Sequence, residues 1–412
     1  MAITSKKNTP STWSLILTVF GPGLVVMLAD TDAGSIITAA QSGAEWGYKL
    51  LLLQFILMPI VFIAQELTVR LGIYTGKGHG ELIKHRFGTF WAWLSVSTLI
   101  ITCIGAIISE FSGLAGVGAL FGVPKWVMMI LSVTFLSTVA LTGSYRSVER
   151  IALLFGAFEL IFFVVAWMAH PSLHEIWQGL TTVPYQNAKY LYLTAANIGA
   201  VIMPWMIFYQ QSAVVDKKLK PHHLKVARWD TAIGAVVTQL VMAAVLVTTA
   251  ATIGKTNPGV PLDTVQQISK ALTPFLGSAA GKILFAIGMT GASVVAAIVV
   301  SLTAAWGLGE ITGFKHSLEY HPKEAPWFYS TYIITLIAGA ILVSSGINLV
   351  NLNVAIEVMN ALLLPIVLGF LFLLALKALP KEYKLKGLYF WVTGIILFIT
   401  ATFGVFGGLW GI

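Results

Sequence analysis

Apolar residues run along this chain in stretches far longer than a soluble helix needs, and the charged residues collect between them. Stretches of about 20 residues, enough to cross a bilayer as helix, fall near 13–40, 46–72, 90–120, 125–143, 149–169, 190–215, 229–253, 275–307, 327–345, 351–378 and 387–410. They predict an all-α polytopic membrane protein with eleven spans. The first span is interrupted at its middle by Ala29-Asp30-Thr31-Asp32-Ala33-Gly34-Ser35, inside the run from Gly21 to Gln41. A carboxylate at mid-membrane costs roughly 2.5–3.5 kcal/mol on insertion scales unless it lines a cavity or holds an ion. Two of them, with a glycine and short hydroxyl side chains, predict a helix broken at mid-depth around an ion site, because irregular backbone at that depth is tolerated only against protein or a wet cavity.

A second interruption falls in the sixth span, where Pro204 lacks a backbone N–H and Gly199 is expected to loosen the helix five residues earlier. Spans 1 and 6 begin two halves of five spans each. Interrupted helices at corresponding positions of two halves are the strongest sequence pointer to a transporter site. The expected organisation is a tail over residues 1–11 and one transmembrane domain over 12–410, with repeats about 12–170 and 190–379 and an eleventh helix about 387–410.

Composition agrees with this pattern. The 412 residues are 57% apolar and only 10% charged, with a mean hydropathy of +0.85, against about 25% charged in soluble domains. The lone cysteine, Cys103, excludes a disulfide framework and a thiolate metal cluster. The net charge of +8 reflects topology. With a cytoplasmic N-terminus the inward connections carry 19 of the 25 Lys and Arg residues and the outward ones 6, which sets the N-terminus inside and the C-terminus outside. An integral protein of the cell (inner) membrane is expected, with the lipid bilayer as its surroundings and no nucleic-acid or obligatory protein partner. The first apolar run is too long for a cleavable signal. No nucleotide fingerprint, H-E-x-x-H motif or nucleophile–base pair appears, so neither an enzyme nor an ATP-driven pump is expected, and no cofactor.

Several residues carry potential chemistry. Asp30 and Asp32 either hold an ion or cap a restarting half-helix. Ser35 either donates a hydroxyl oxygen to the same ion or caps the second half-helix. Met203 is either packing or a soft ligand that favours Mn²⁺ and Fe²⁺ over Mg²⁺, and unwound carbonyls at Ala29 and Ala200 are further oxygen donors. Glu110, within the third span, is a proton or cation relay or a partner for a neighbouring group. Asn360 approaches the site or bonds between helices. Glu66 and Arg70, four apart, form a helical ion pair, while Glu159 and Glu357 are buried by sequence and unassigned. Six histidines, His170, His174, His222, His223, His316 and His321, fall in connections and form no metal-spaced set.

Nearly the whole chain resembles the NRAMP family of metal-ion transporters, as a divergent member. Gly21-Pro22-Gly23 matches that family's GPG, and Asp32-Ala33-Gly34-Ser35 stands at its D-P-G-N. Ser42-Gly43-Ala44-Glu45-Trp46-Gly47-Tyr48 matches A-G-A-x-x-G-Y, Arg70 to Lys77 matches R-L-G-I-x-T-G-K, and Ala200-Val201-Ile202-Met203-Pro204-Trp205 matches A-x-x-M-P-H. The resemblance implies a LeuT-type fold of two inverted repeats with helices 1 and 6 broken. It also implies metal coordination by Asp32, Met203 and the carbonyls of Ala29 and Ala200. The departures lie at the site: Ser35 stands for an asparagine ligand, Ala33 for a proline, and Trp205 and Gln211 for two histidines linked to proton movement in typical members.

The leading expectation is therefore a secondary transporter importing a divalent cation, Mn²⁺ or Fe²⁺ if Met203 coordinates and Mg²⁺ if it does not. The alternative keeps the fold and changes the cargo. Half-helix N-termini near Thr31 and Ser35 cradle a small anion such as bicarbonate, with Asp32 holding a coupling Na⁺ where typical members move H⁺.

Overall fold

The computed structural model describes residues 19–142, 144–273, 277–345 and 349–410. The expected tail over 1–11, and the start of the first span, lie outside the described residues. The described chain is helical in the order α1 (Pro22–Asp30), α2 (Ala33–Trp46), α3 (Leu51–Thr75), α4 (His79–Phe87), α5 (Thr89–Leu120), α6 (Lys125–Leu141), α7 (Tyr145–Gly156), α8 (Ile161–Met168) and α9 (Leu173–Thr181). It continues through α10 (Ala188–Val201), α11 (Pro204–Asp216), α12 (Leu224–Ala251), α13 (Ile253–Thr256), α14 (Val265–Leu272), α15 (Gly277–Thr312), α16 (Pro326–Ser344), α17 (Leu349–Lys377) and α18 (Gly387–Trp410). Among the described residues, nine helical runs are long and apolar enough to cross a membrane, and Lys125–Leu141 is a shorter apolar helix. The eleven expected segments map onto this set. Residues 33–75 form one long run in which α2 passes into α3 through a single 3₁₀ turn, and α1 is the half-helix preceding it. His174 lies in a connection as expected, on the short helix α9 between two spans.

Both interruptions are present, and each has its own cause. α1 stops at Asp30, where the Thr31 N–H turns back to the Leu28 carbonyl (3.1 Å) and Asp32 adopts an extended backbone. α10 stops at Val201. Ile202 and Met203 are non-helical, and Pro204 then opens α11, a position where its missing N–H costs nothing. Gly199 does not loosen α10 as expected, because it lies within the helix. A Cβ there would collide with the Glu357 carbonyl and approach the Ala361 N–H to 2.8 Å. The residue is small so that α17 can pack backbone against backbone, which overrides its intrinsic helix weakness.

The broken helices sit at the centre of the packing. α12 lies along α1, α2 and α3; α15 runs against α5, α1 and α11; and α17 lies along α10, α2 and α18. Polar contacts fix the ends. Asp230 on α12 accepts N–H groups from Gly21 (3.2 Å), Gly23 (2.7 Å) and Leu24 (3.2 Å), so the first turn of α1 is capped from another span. Asn197 on α10 accepts from Gln54 on α3 (2.7 Å) and donates to Ser42 on α2 (2.8 Å). Glu66 forms the expected pair with Arg70 at 2.8 Å. It also binds Arg228 of α12 (Nη2, 2.5 Å) and the Tyr389 hydroxyl of α18 (3.1 Å), so a pair legible along one helix clasps three.

Gly199→Ala should lower the unfolding temperature in detergent by an amount consistent with overpacking, about 1–3 kcal/mol. Gly369→Ala, where a Cβ meets nothing within 4 Å, should be neutral or stabilising by up to ~1 kcal/mol. Equal effects of the two would remove the argument for the α10–α17 contact.

Candidate functional site

The first break is organised by the start of α2. Asp32 is its N-cap, with Oδ1 accepting the Ser35 N–H at 2.7 Å, while Oδ2 makes no hydrogen bond among the described residues. Capping and ion binding are therefore compatible in one side chain, since each uses a different oxygen. Ala33 keeps the N–H that a proline would lack. Glu110 of α5 takes it on Oε2 at 3.1 Å, leaving Oε1 without a partner. The relay candidate is thus also a cap for the same half-helix.

Ser35 links the two breaks, its hydroxyl donating to the Ala200 carbonyl at 2.9 Å. Ala200 lies in the last turn of α10, and Ala29 in the last turn of α1, where carbonyls have no helical donor ahead of them. Met203 is the N-cap residue of α11, and its thioether accepts the Trp205 indole N–H at 3.1 Å. The tryptophan that stands where a histidine was expected has no acid–base capacity and engages the sulfur instead. Asp32, Ser35, Ala29, Ala200, Met203 and Trp205 are all fully buried, so the region is closed to solvent.

Glu357 of α17 reaches the same region. A Cβ on Gly34 would meet its Oε1, so the glycine of the first break is a close-approach position; Ser109 stands 2.6 Å from the same Cβ. Asn360 donates to Glu357 Oε2 at 2.9 Å, and so bonds within α17. On the other side of the break, Thr31 and Thr238 of α12 share a 2.5 Å hydroxyl contact, and Asp30 and Glu159 lie beside them.

Gln211 is not brought to the break. It lies eight residues beyond Met203, about 12 Å along α11. There its Nε2 donates to the Lys77 carbonyl (2.9 Å) and its Oε1 faces His79 Nδ1 (2.9 Å). Because the amide nitrogen is already donating, Oε1 must accept, which assigns the proton to Nδ1 of a neutral imidazole. Sequence reasoning passed over His79 and Asp230. It also missed Glu310, which accepts from the Gly80 N–H (2.8 Å) and the Ser212 hydroxyl (2.5 Å). All three hold connections or caps whose partners are distant in the chain. Among the described residues no three His, Cys, Asp or Glu side chains are gathered as a metal cluster. A cation held between Asp32 and Met203 would rely on one carboxylate with sulfur, hydroxyl and carbonyl donors.

Comparison with known proteins adds the following. A family model described as natural resistance-associated macrophage protein-like matches residues 23–407. The divalent metal cation transporter MntH of Brucella suis biovar 1 (strain 1330) is 28% identical over 288 residues, 66% of this chain and 62% of that protein. MntH of Staphylococcus haemolyticus (strain JCSC1435) is 32% identical over 50% of this chain and 48% of its own length. The metal transporter Nramp1 of Populus trichocarpa is 30% identical over 50% and 39%. The chain thus spans between about two fifths and three fifths of the length of these curated relatives. The crystal structure of the Eremococcus coleocola manganese transporter with an aromatic bis-isothiourea compound shares the fold at TM-score 0.76 and 20% identity, covering 97% of this chain and 87% of that one. MhsT in complex with L-phenylalanine does so at 0.64 and 12%, covering 98% and 99%. The architecture is the LeuT-type one expected from the sequence.

Burial pushes the His79 imidazole down to about 4, below its ordinary value near 6.5. Between these values the unfolded chain binds a proton that the folded one refuses, so this residue's contribution to stability is complete above pH 6.5 and is lost as pH falls towards 4. His79→Gln should flatten that part of the stability–pH curve. Thermal unfolding from pH 7 to 4 checks it, and an unchanged slope would count against the buried neutral imidazole.

Proposed function

The chain belongs to the Nramp family, and on that footing we propose that it is a secondary transporter carrying a divalent metal cation through the membrane by alternating access. Asp32 supplies the charge through Oδ2, Met203 a soft donor, and Ser35 with the carbonyls of Ala29 and Ala200 the oxygens. The N-terminus is cytoplasmic and the C-terminus outside. The observation that carries this reading is the Ser35–Ala200 hydrogen bond at 2.9 Å, which joins donors from both breaks beside a capping carboxylate with one unused oxygen. The printed names of the MntH relatives, divalent metal cation transporters, support it.

Metal choice turns on the thioether. With Met203 coordinating, Mn²⁺ and Fe²⁺ are favoured; with its sulfur held by Trp205, the donors that remain are all oxygens and suit Mg²⁺. Glu110, with one unused oxygen near Asp32, and Glu357 are the acids available to balance the cargo's charge. Typical members' proton route through two histidines has no counterpart at Trp205 or Gln211.

One observation favours a second cargo. The N-termini of α2 and α11 open at the two breaks, and their partial positive charges suit a small anion such as bicarbonate, with Asp32 holding a coupling Na⁺.

Purified protein in liposomes should take up Mn²⁺ saturably, and Asp32→Ala should reduce the rate at least tenfold. Absence of Mn²⁺ and Mg²⁺ flux, together with Na⁺-dependent uptake of labelled bicarbonate, would replace the metal reading with the anion one.

A further inference from the structure

Two buried carboxylates at the first break have no part in the site described above. Asp30 is 1% exposed and Glu159 fully buried, and none of their four oxygens makes a hydrogen bond among the described residues. Glu159 belongs to the 3₁₀ turn between α7 and α8. Asp30 lies beside Thr238 and Glu159 beside Thr31, and Thr31 Oγ1 and Thr238 Oγ1 are 2.5 Å apart. Three separate spans contribute, through α1, α12 and the α7–α8 turn. Lys and Arg pair elsewhere: the ion pairs among the described residues involve Glu66, Glu81, Glu149 and Glu175.

The electrostatics of this group differ from those of Asp32 and Glu110. Those two face the N-terminus of α2, where helix N–H groups stabilise negative charge. Asp30 closes the C-terminus of α1, where the carbonyls of the last turn already present the negative end of the helix. Acids, hydroxyls and free carbonyls crowded together in a dry interior call for a cation, and half-helix C-termini are where membrane transporters hold one.

We propose that Asp30, Thr31, Thr238 and Glu159, with the terminal carbonyls of α1, form a second cation site that binds Na⁺. The donors are all hard oxygens, with no sulfur, imidazole or amide among them, which excludes a soft metal. Mg²⁺ surrenders its waters reluctantly and keeps several, whereas these four side chains are shut off from solvent. Na⁺ loses water more readily and accepts hydroxyl and carbonyl oxygens. The site shares the α1–α2 break with Asp32 but uses the opposite helix end, so an ion here fixes the end of α1 while the cargo occupies the start of α2. Its role as a coupling ion rests on the transporter reading; its occupancy does not.

Thermal unfolding of the full chain in detergent, in NaCl against choline chloride at matched ionic strength and pH, tests the site. Na⁺ should raise the unfolding temperature of the parent protein saturably, and neither choline nor Mg²⁺ should reproduce the Glu159-dependent part. Glu159→Gln and, separately, Thr238→Val should raise the Na⁺ concentration for half the shift at least tenfold, while a Mn²⁺-induced shift persists in both. Equal behaviour of the parent in Na⁺ and choline overturns the proposal without reference to any variant. So does a wild-type Na⁺ response in the variants, or a Glu159-dependent response to Mg²⁺ in place of Na⁺. A Na⁺ shift lost in the variants, with neither a Mn²⁺ nor a Mg²⁺ shift in any protein, keeps the Na⁺ site and sinks the metal reading instead.

Discussion

Unsatisfied backbone in a low-dielectric interior is the constraint on which this structure depends. Breaking a helix inside the membrane frees N–H and C=O groups, each costing several kcal/mol if left bare. The first break lacks a proline, so its freed N–H groups are met by side chains: Asp32 takes that of Ser35 and Glu110 that of Ala33. The second break needs less, because Pro204 removes one donor outright and Ser35 meets the Ala200 carbonyl from across the gap. The far end of α1 is handled similarly by Asp230. Carboxylates that would be prohibitive in lipid thus serve as the caps that make a broken helix affordable, and Asp32 and Glu110 each keep one oxygen over for an ion.

What the sequence made legible follows the strength of its local signals. Span positions rest on hydropathy summed over about twenty residues, and the breaks on residues that cannot continue a helix in lipid. The Glu66–Arg70 pair rests on a four-residue helical spacing. Illegible were features whose two halves are far apart in the chain. Asp230 caps a helix more than two hundred residues earlier, and Gly199 proved to be a packing site for Glu357. His79 became meaningful only beside Gln211. None of these leaves a mark in local composition.

Trp205 illustrates why a departure from a family pattern has to be read in space. Along the chain it registers as a lost histidine. In the fold its indole N–H is donated to the neighbouring thioether of Met203, so the residue engages a sulfur at the second break that the chain order alone does not connect to it.

Glu357 touches both interruptions at once. Its backbone carbonyl lies where a Gly199 side chain would be, and its carboxylate oxygen lies where a Gly34 side chain would be. α17 therefore behaves as a strut wedged between the two pivots, bolted by its main chain to α10 and resting by its side chain on α2. Packing of α17 against both α10 and α2 thus ties the end of one broken helix to the restart of the other.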